Sequence, residues 1–157
     1  MTTIHLTTII NAPVERVFDL SRSISLHKIS VANTKEEAIA GVTSGLININ
    51  ETVTWRAKHL FKTRIFISKI TEMQKPVMFI DEMQQGDFKS FKHAHHFKSM
   101  NNGTIMIDLV DFESPYKMAG KILDKIYLKN YLKKLLVQRN DVIKEYAETQ
   151  KWKVILH

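Results

Sequence analysis

The sequence predicts an α+β domain in which a curved antiparallel sheet wraps one long C-terminal helix, with two short helices near the N-terminus. Three observations carry this. From about residue 46 to 113 the polarity alternates with period two, after Ser114-Pro115 the period turns helical, and successive strands are joined by short turns rather than by helices. The 157 residues suit a single domain, 1–157, and a 44% hydrophobic content is enough for a substantial core.

Residues 3–10 (TIHLTTII) read as the first strand, rich in Thr and Ile. Asn11-Ala12-Pro13 turns the chain, and Pro13 suits the first turn of a helix carrying Val14, Val17 and Phe18 to about Ser21. Arg22–Val31 has no decisive period. Thr34 and Glu37 have capping-box spacing for a second short helix, which Gly41 would end. Six or seven strands are expected in all. One places Val53, Trp55, Ala57 and His59 on a common face, and others cover about 62–72, 77–84, 88–99 and 104–113. Asn102-Gly103 is the strongest hairpin signal, read as a two-residue type I′ turn, and Gln85-Gly86-Asp87 serves the hairpin before it.

Beyond Pro115, Ala119, Ile122, Leu123 and Ile126 form an apolar stripe. Leu132, Leu135, Leu136, Arg139, Ile143 and Tyr146 continue it, so a helix is expected over at least 130–146. The tail, with Trp152, Val154, Ile155 and Leu156, either packs back on the body or contacts another chain.

Several function classes drop out. There are no cysteines, which excludes disulfides, thiolate catalysis and Cys-based zinc sites. No run approaches the roughly 18 apolar residues of a membrane span, so no membrane insertion is expected. With no export signal in view, a cytoplasmic location is the default expectation. The net charge is +7, but Lys and Arg are spread along the chain without a compact block, as on a solvated surface, and no specific nucleic-acid partner is expected. There is no GxGxxG, P-loop, GxSxG or HExxH, and no cofactor is expected.

The strings IINAPVERVFDLSRSISLH (9–27), VTWRAKHLFK (53–62), FIDEMQQGDFKSFKHAHHF (79–97) and TIMIDLVDFESP (104–115) resemble the START-related SRPBCC superfamily, and within it a bacterial ligand-binding branch. The superfamily includes pollen-allergen, lipid-transfer and polyketide-cyclase proteins. Leu60-Phe61 and Asp87 stand where relatives in this branch often carry Gly and Pro, a difference placed at a cavity mouth. The resemblance implies a helix-grip, START-like fold and a small apolar or aromatic ligand in an internal cavity. Binding or carriage is the expected function, and a polyketide cyclase/dehydratase-like enzyme using a His/Asp pair is the alternative. Fold alone does not decide between them.

Strand periodicity singles out the cavity wall. Phe91, His93, His95 and Phe97 share one face, as do Phe79, Asp81 and Met83. A turn at Asn102-Gly103 places Phe97 opposite Asp108 and His95 opposite Val110, so Asp108 lies diagonal to His95. Trp55, His59, Phe79, Asp81, Phe91, His93, His95, Asp108, Phe112 and Arg139 are therefore the candidate ligand-contacting residues. The polar members must find partners, because an unsatisfied buried group costs about 1–3 kcal/mol. A structural network, a ligand anchor, acid–base chemistry and metal binding all remain open to them. His93-x-His95 is a metal-ligand spacing, but no Glu follows until Glu113, and no metal site is expected.

Overall fold

The computed structural model describes residues 1–59, 62–114 and 124–157. In chain order these form β1 (Thr2–Ile10), α1 (Val14–Ser21), α2 (Ile24–Ser30), β2 (Glu37–Gly41), β3 (Thr52–His59), β4 (Lys62–Gln74), β5 (Met78–Gln85), β6 (Ser90–Met100), β7 (Gly103–Glu113), α3 (Lys129–Glu148) and α4 (Trp152–Ile155). A turn of π-helix, Asp124–Leu128, leads into α3. The seven strands make one curved antiparallel sheet in the order β1-β7-β6-β5-β4-β3-β2. β1 and β2 are the two edges, so α1 and α2 carry the chain from one side of the sheet to the other.

Local chemistry explains the helices. Pro13 precedes α1 with φ −58°, already the value a helix needs, and Val17, Phe18 and Leu20 turn inward. The segment without a clear period is α2, started by Ser23, whose Oγ accepts the Leu26 N–H at 3.1 Å. The helix expected from Thr34 and Glu37 does not form. Ala32–Thr34 make a single 3-10 turn, Lys35 adopts φ +52°, and Glu37–Gly41 pairs with β3 as an edge strand. Ladder hydrogen bonds to β3 outweigh the weak capping signal. Gly41 belongs to this edge rather than to a helix end: it has φ +72°, and a Cβ there would collide with the Thr52 carbonyl.

The β6–β7 hairpin also departs from expectation. Met100 pairs with Gly103, so the turn is Asn101-Asn102, and neither residue has positive φ. His95 therefore lies directly opposite Asp108, and Phe97 opposite Met106. The expected register was displaced by two residues, which leaves every side chain on its face. Gly103 is required by crowding and not by turn type, since a Cβ there would sit 2.5 Å from the Ile10 carbonyl of β1.

α3 crosses the sheet with Leu136, Arg139, Asn140, Ile143 and Ala147 buried, which continues the predicted stripe. Ile126 is 66% exposed and lies off it, while Ala119, Ile122 and Leu123 fall outside the described residues. One apolar cluster joins α1, the sheet and α3 through Phe18, Trp55, Phe79, Phe97 and Ile143. A second gathers Ile4, Val110, Phe112, Leu128 and Leu136. The tail packs back on the first cluster through Trp152, Ile155 and Leu156, with the Arg16 guanidinium 4.3 Å above the Trp152 ring.

Candidate functional site

Between the concave face of the sheet and α3 the described residues bound a pocket of about 460 Å³. Its walls follow from period two. Val53, Trp55 and Ala57 project from β3, Phe66 and Ile70 from β4, Phe79 from β5, Phe91 from β6 and Val110 from β7. Leu132, Leu135 and Leu136 of α3 face them. Two polar sets interrupt this surface. The more exposed set includes the Arg64–Asp87 ion pair and the His27–Glu36 contact at 3.0 Å. The buried set around the two histidines is Ser68, Asp81, His93, His95 and Arg139; Arg22, Ser23 and Ser114 are other buried polar residues of the lining.

The buried set is one hydrogen-bonded network. Its center is the pair of stacked rings of His93 and His95, 3.6 Å apart, with Phe79 stacked on His95 at 4.0 Å. His93 Nε2 donates to Asp108 Oδ1 at 2.8 Å. His95 bridges two carboxylates, with Nε2 2.7 Å from Asp81 Oδ2 and Nδ1 3.2 Å from Asp108 Oδ1. Asn140 Nδ2 donates to Asp108 Oδ2 at 2.7 Å, and Arg139 Nη1 lies 3.4 Å from Oδ1. Arg139 Nη1 also donates to Asn140 Oδ1 (2.7 Å), and its Nη2 to the Ser21 carbonyl (3.2 Å). Ser68 Oγ donates to Asp81 Oδ1 at 3.2 Å.

These contacts set the charge states. Burial alone would raise the Asp108 carboxyl, but hydrogen bonds from His93 and His95 and the charge of Arg139 outweigh it and hold the group well below the usual carboxylate range. Asp81 follows the same balance, lowered against burial by its hydrogen bond from His95 and by the charges of His95, His93 and Arg139. His93 moves down to about 4, because burial and the neighboring His95 outweigh the pull of Asp108 and Asp81. His93 is thus neutral near pH 7. Ionised Asp108 only accepts, so the His93 proton sits on Nε2 and a lone pair on Nδ1.

Trp55, Phe79, Asp81, Phe91, His93, His95 and Arg139 line the pocket. Asp108 and Phe112 do not. Both are completely buried behind the wall, Asp108 beneath the two histidines and Phe112 in the second apolar cluster. The His59 side chain falls outside the described set. His95 and Asp108 do come together, with Nδ1 3.2 Å from Oδ1, and Arg139 and Asn140 of α3 lie against Asp108. Sequence reasoning overlooked Asn140 and Ser68. Asn140 carried a signal, since it sits four residues after Leu136 and three before Ile143 on the buried face of α3.

Asp81, His93 and His95 each offer a donor atom, and these lie within 4.8 Å of one another. Two features oppose a metal there. Asp81 and His95 are hydrogen-bonded directly to each other, and the Arg139 guanidinium stands 3.4 Å from His95 Nδ1.

No protein-family model matches the sequence, and no curated protein does. Solved structures match nearly its whole length. A protein of Thermus thermophilus, TTHA0849, superposes with a TM-score of 0.75 at 16% identity, over 93% of this chain and 97% of that one. A START superfamily protein from Mycobacterium smegmatis gives 0.70 at 13% identity, over 91% and 97%. The major latex-like protein 151 of Panax ginseng gives 0.70 at 13%, over 94% and 98%. The chain has the helix-grip, START-like fold that its sequence strings resembled.

Proposed function

We propose that this protein binds or carries a small hydrophobic molecule in the pocket between the sheet and α3. The observation that carries this reading is the pocket itself. About 460 Å³, walled mainly by aliphatic and aromatic side chains with a few convergent polar groups, is the form of a small-molecule site. A void of this size stands out in an interior that otherwise packs to crystal-like density. The START-like fold supports the same reading by analogy. No helix among the described residues is long and apolar enough to cross a membrane. Native mass spectrometry of the protein purified from its own host tests the proposal. A co-purifying apolar molecule of defined mass, lost on organic extraction and rebound on return, supports it. Mass spectra of bare protein, together with no uptake of added apolar compounds, would refute it.

A second reading, a cyclase- or dehydratase-like enzyme, draws on one specific feature. His93 is neutral, is held by Asp108 through Nε2 and borders the pocket, which is the arrangement of a general base backed by a carboxylate. Among the described residues no hydroxyl is hydrogen-bonded to His93, so binding remains the primary reading. Turnover of a polyketide-like compound that disappears in a folded His93→Ala variant would reverse that order.

A further inference from the structure

The polar network and the pocket meet at one atom that the protein leaves unused. His93 Nδ1 carries a lone pair and has no hydrogen-bond partner among the described residues. It is not sealed in the core, because the only side-chain nitrogen or oxygen among the described residues both closed off and unpartnered is Thr71 Oγ1. Its residue lines the pocket, whereas Asp108, the partner of Nε2, does not. Asp81 lies directly opposite His93 in the β5–β6 register, which puts a second acceptor beside the first. The two Nη atoms of Arg139 are already directed to Asp108, Asn140, Ser21 and His95.

We infer that the ligand is an apolar molecule bearing a neutral hydroxyl group, which donates its hydrogen bond to His93 Nδ1 beside Asp81. This rests on the binding reading above and adds the class of ligand. A ligand carboxylate would bring its charge toward Asp81 and offer an acceptor to acceptors. An ammonium group would have to give up its hydration beside the guanidinium of Arg139. An ether or plain hydrocarbon would leave Nδ1 unpaired. A hydroxyl satisfies it and buries no new charge.

Four matched probes separate these cases by calorimetric titration: biphenyl, para-phenylphenol, para-methoxybiphenyl and para-phenylbenzoate. The wild-type protein is expected to bind para-phenylphenol about tenfold more tightly than the other three, as one added hydrogen bond to a desolvated acceptor requires. In His93→Phe the phenol and the methoxy ether are expected to bind equally. The wild-type ranking stands by itself should that variant fail to fold. Equal binding of the phenol and the ether by the wild type overturns the inference while leaving the pocket reading intact, and so does tighter binding of the benzoate. A phenol preference that survives in folded His93→Phe also overturns it. Failure of all four to bind sinks the binding reading, and this inference with it.

Discussion

Asp108 and Asp81 each accept from a histidine of β6, yet they stand at opposite edges of the His95 ring and in different surroundings. The Asp108 side chain is 0% exposed and has partners on α3 as well as on β6; that of Asp81 is 21% exposed and borders the pocket. The two carboxylates divide one network into a sealed half and an open half. The sealed half fastens α3 to the sheet through Arg139 and Asn140. The open half presents a polar surface to whatever occupies the pocket. A histidine–carboxylate pair in a START-like cavity therefore need not have a single purpose, and the two halves should respond differently to substitution.

The largest expected effect is at Asp108. Asp108→Ala leaves the Arg139 charge and the His93 and Asn140 donors without their common acceptor, and is expected to destabilise folding by about 3–5 kcal/mol. Chemical denaturation measures this, and a loss under about 1 kcal/mol would erase the distinction between the halves.

Acid should act next. His93 titrates near 4 when folded but near 6.5 when unfolded, so only the unfolded state gains its proton between those values. Stability is then level above about pH 6.5 and falls by about 3 kcal/mol toward pH 4 from this residue. Asp108 and Asp81, held low in the fold, add a further loss below the ordinary carboxylate value of 3.8. Denaturation midpoints taken across this range should decline less steeply in His93→Phe than in the wild type.

His95 belongs to both halves. His95→Ala removes the stack on Phe79 and a contact to each carboxylate, and is expected to cost about 1–3 kcal/mol by the same denaturation assay. Asp81→Asn should be the mildest for folding, at about 0.5 kcal/mol, because it keeps the side-chain shape and one acceptor oxygen. Its effect should show in ligand binding, as relaxed rejection of para-phenylbenzoate in calorimetry. A stability loss as large as that of Asp108→Ala would place Asp81 in the sealed half.

How far the sequence could show this divides along physical lines. Period two assigned His93, His95, Asp81 and Phe79 to the inner face, and that assignment survived a register displaced by two residues because the displacement was even. The displacement itself was not legible. Asn102-Gly103 looks like a turn pair, whereas Gly103 is glycine because the end of β1 passes close to it. That approach is distant in sequence, as the adjoining hydrogen bond from Thr104 Oγ1 to the Ala12 carbonyl spans 92 residues. β4 hid Ser68 because Ile65 and Ile67 alternate with Phe66 and Ser68, so both faces of the strand are apolar and period two does not choose between them. The five residues of β2 were too few to reveal a period against the Thr34–Glu37 capping pattern. Which carboxylate was sealed depended on α3 crossing above Asp108, a tertiary fact that no local pattern contains.

Uptake of an apolar molecule by the pocket is the property on which both halves of the network bear. The chain has two tryptophans, Trp55 on the pocket wall and Trp152 in the tail. Trp152→Phe makes Trp55 the sole indole reporter, and n-decanol, transparent in the ultraviolet, can be titrated against its fluorescence. A saturable change in Trp55 emission at one molecule per chain is expected. Emission that stays unchanged up to the solubility limit of the alcohol would contradict it.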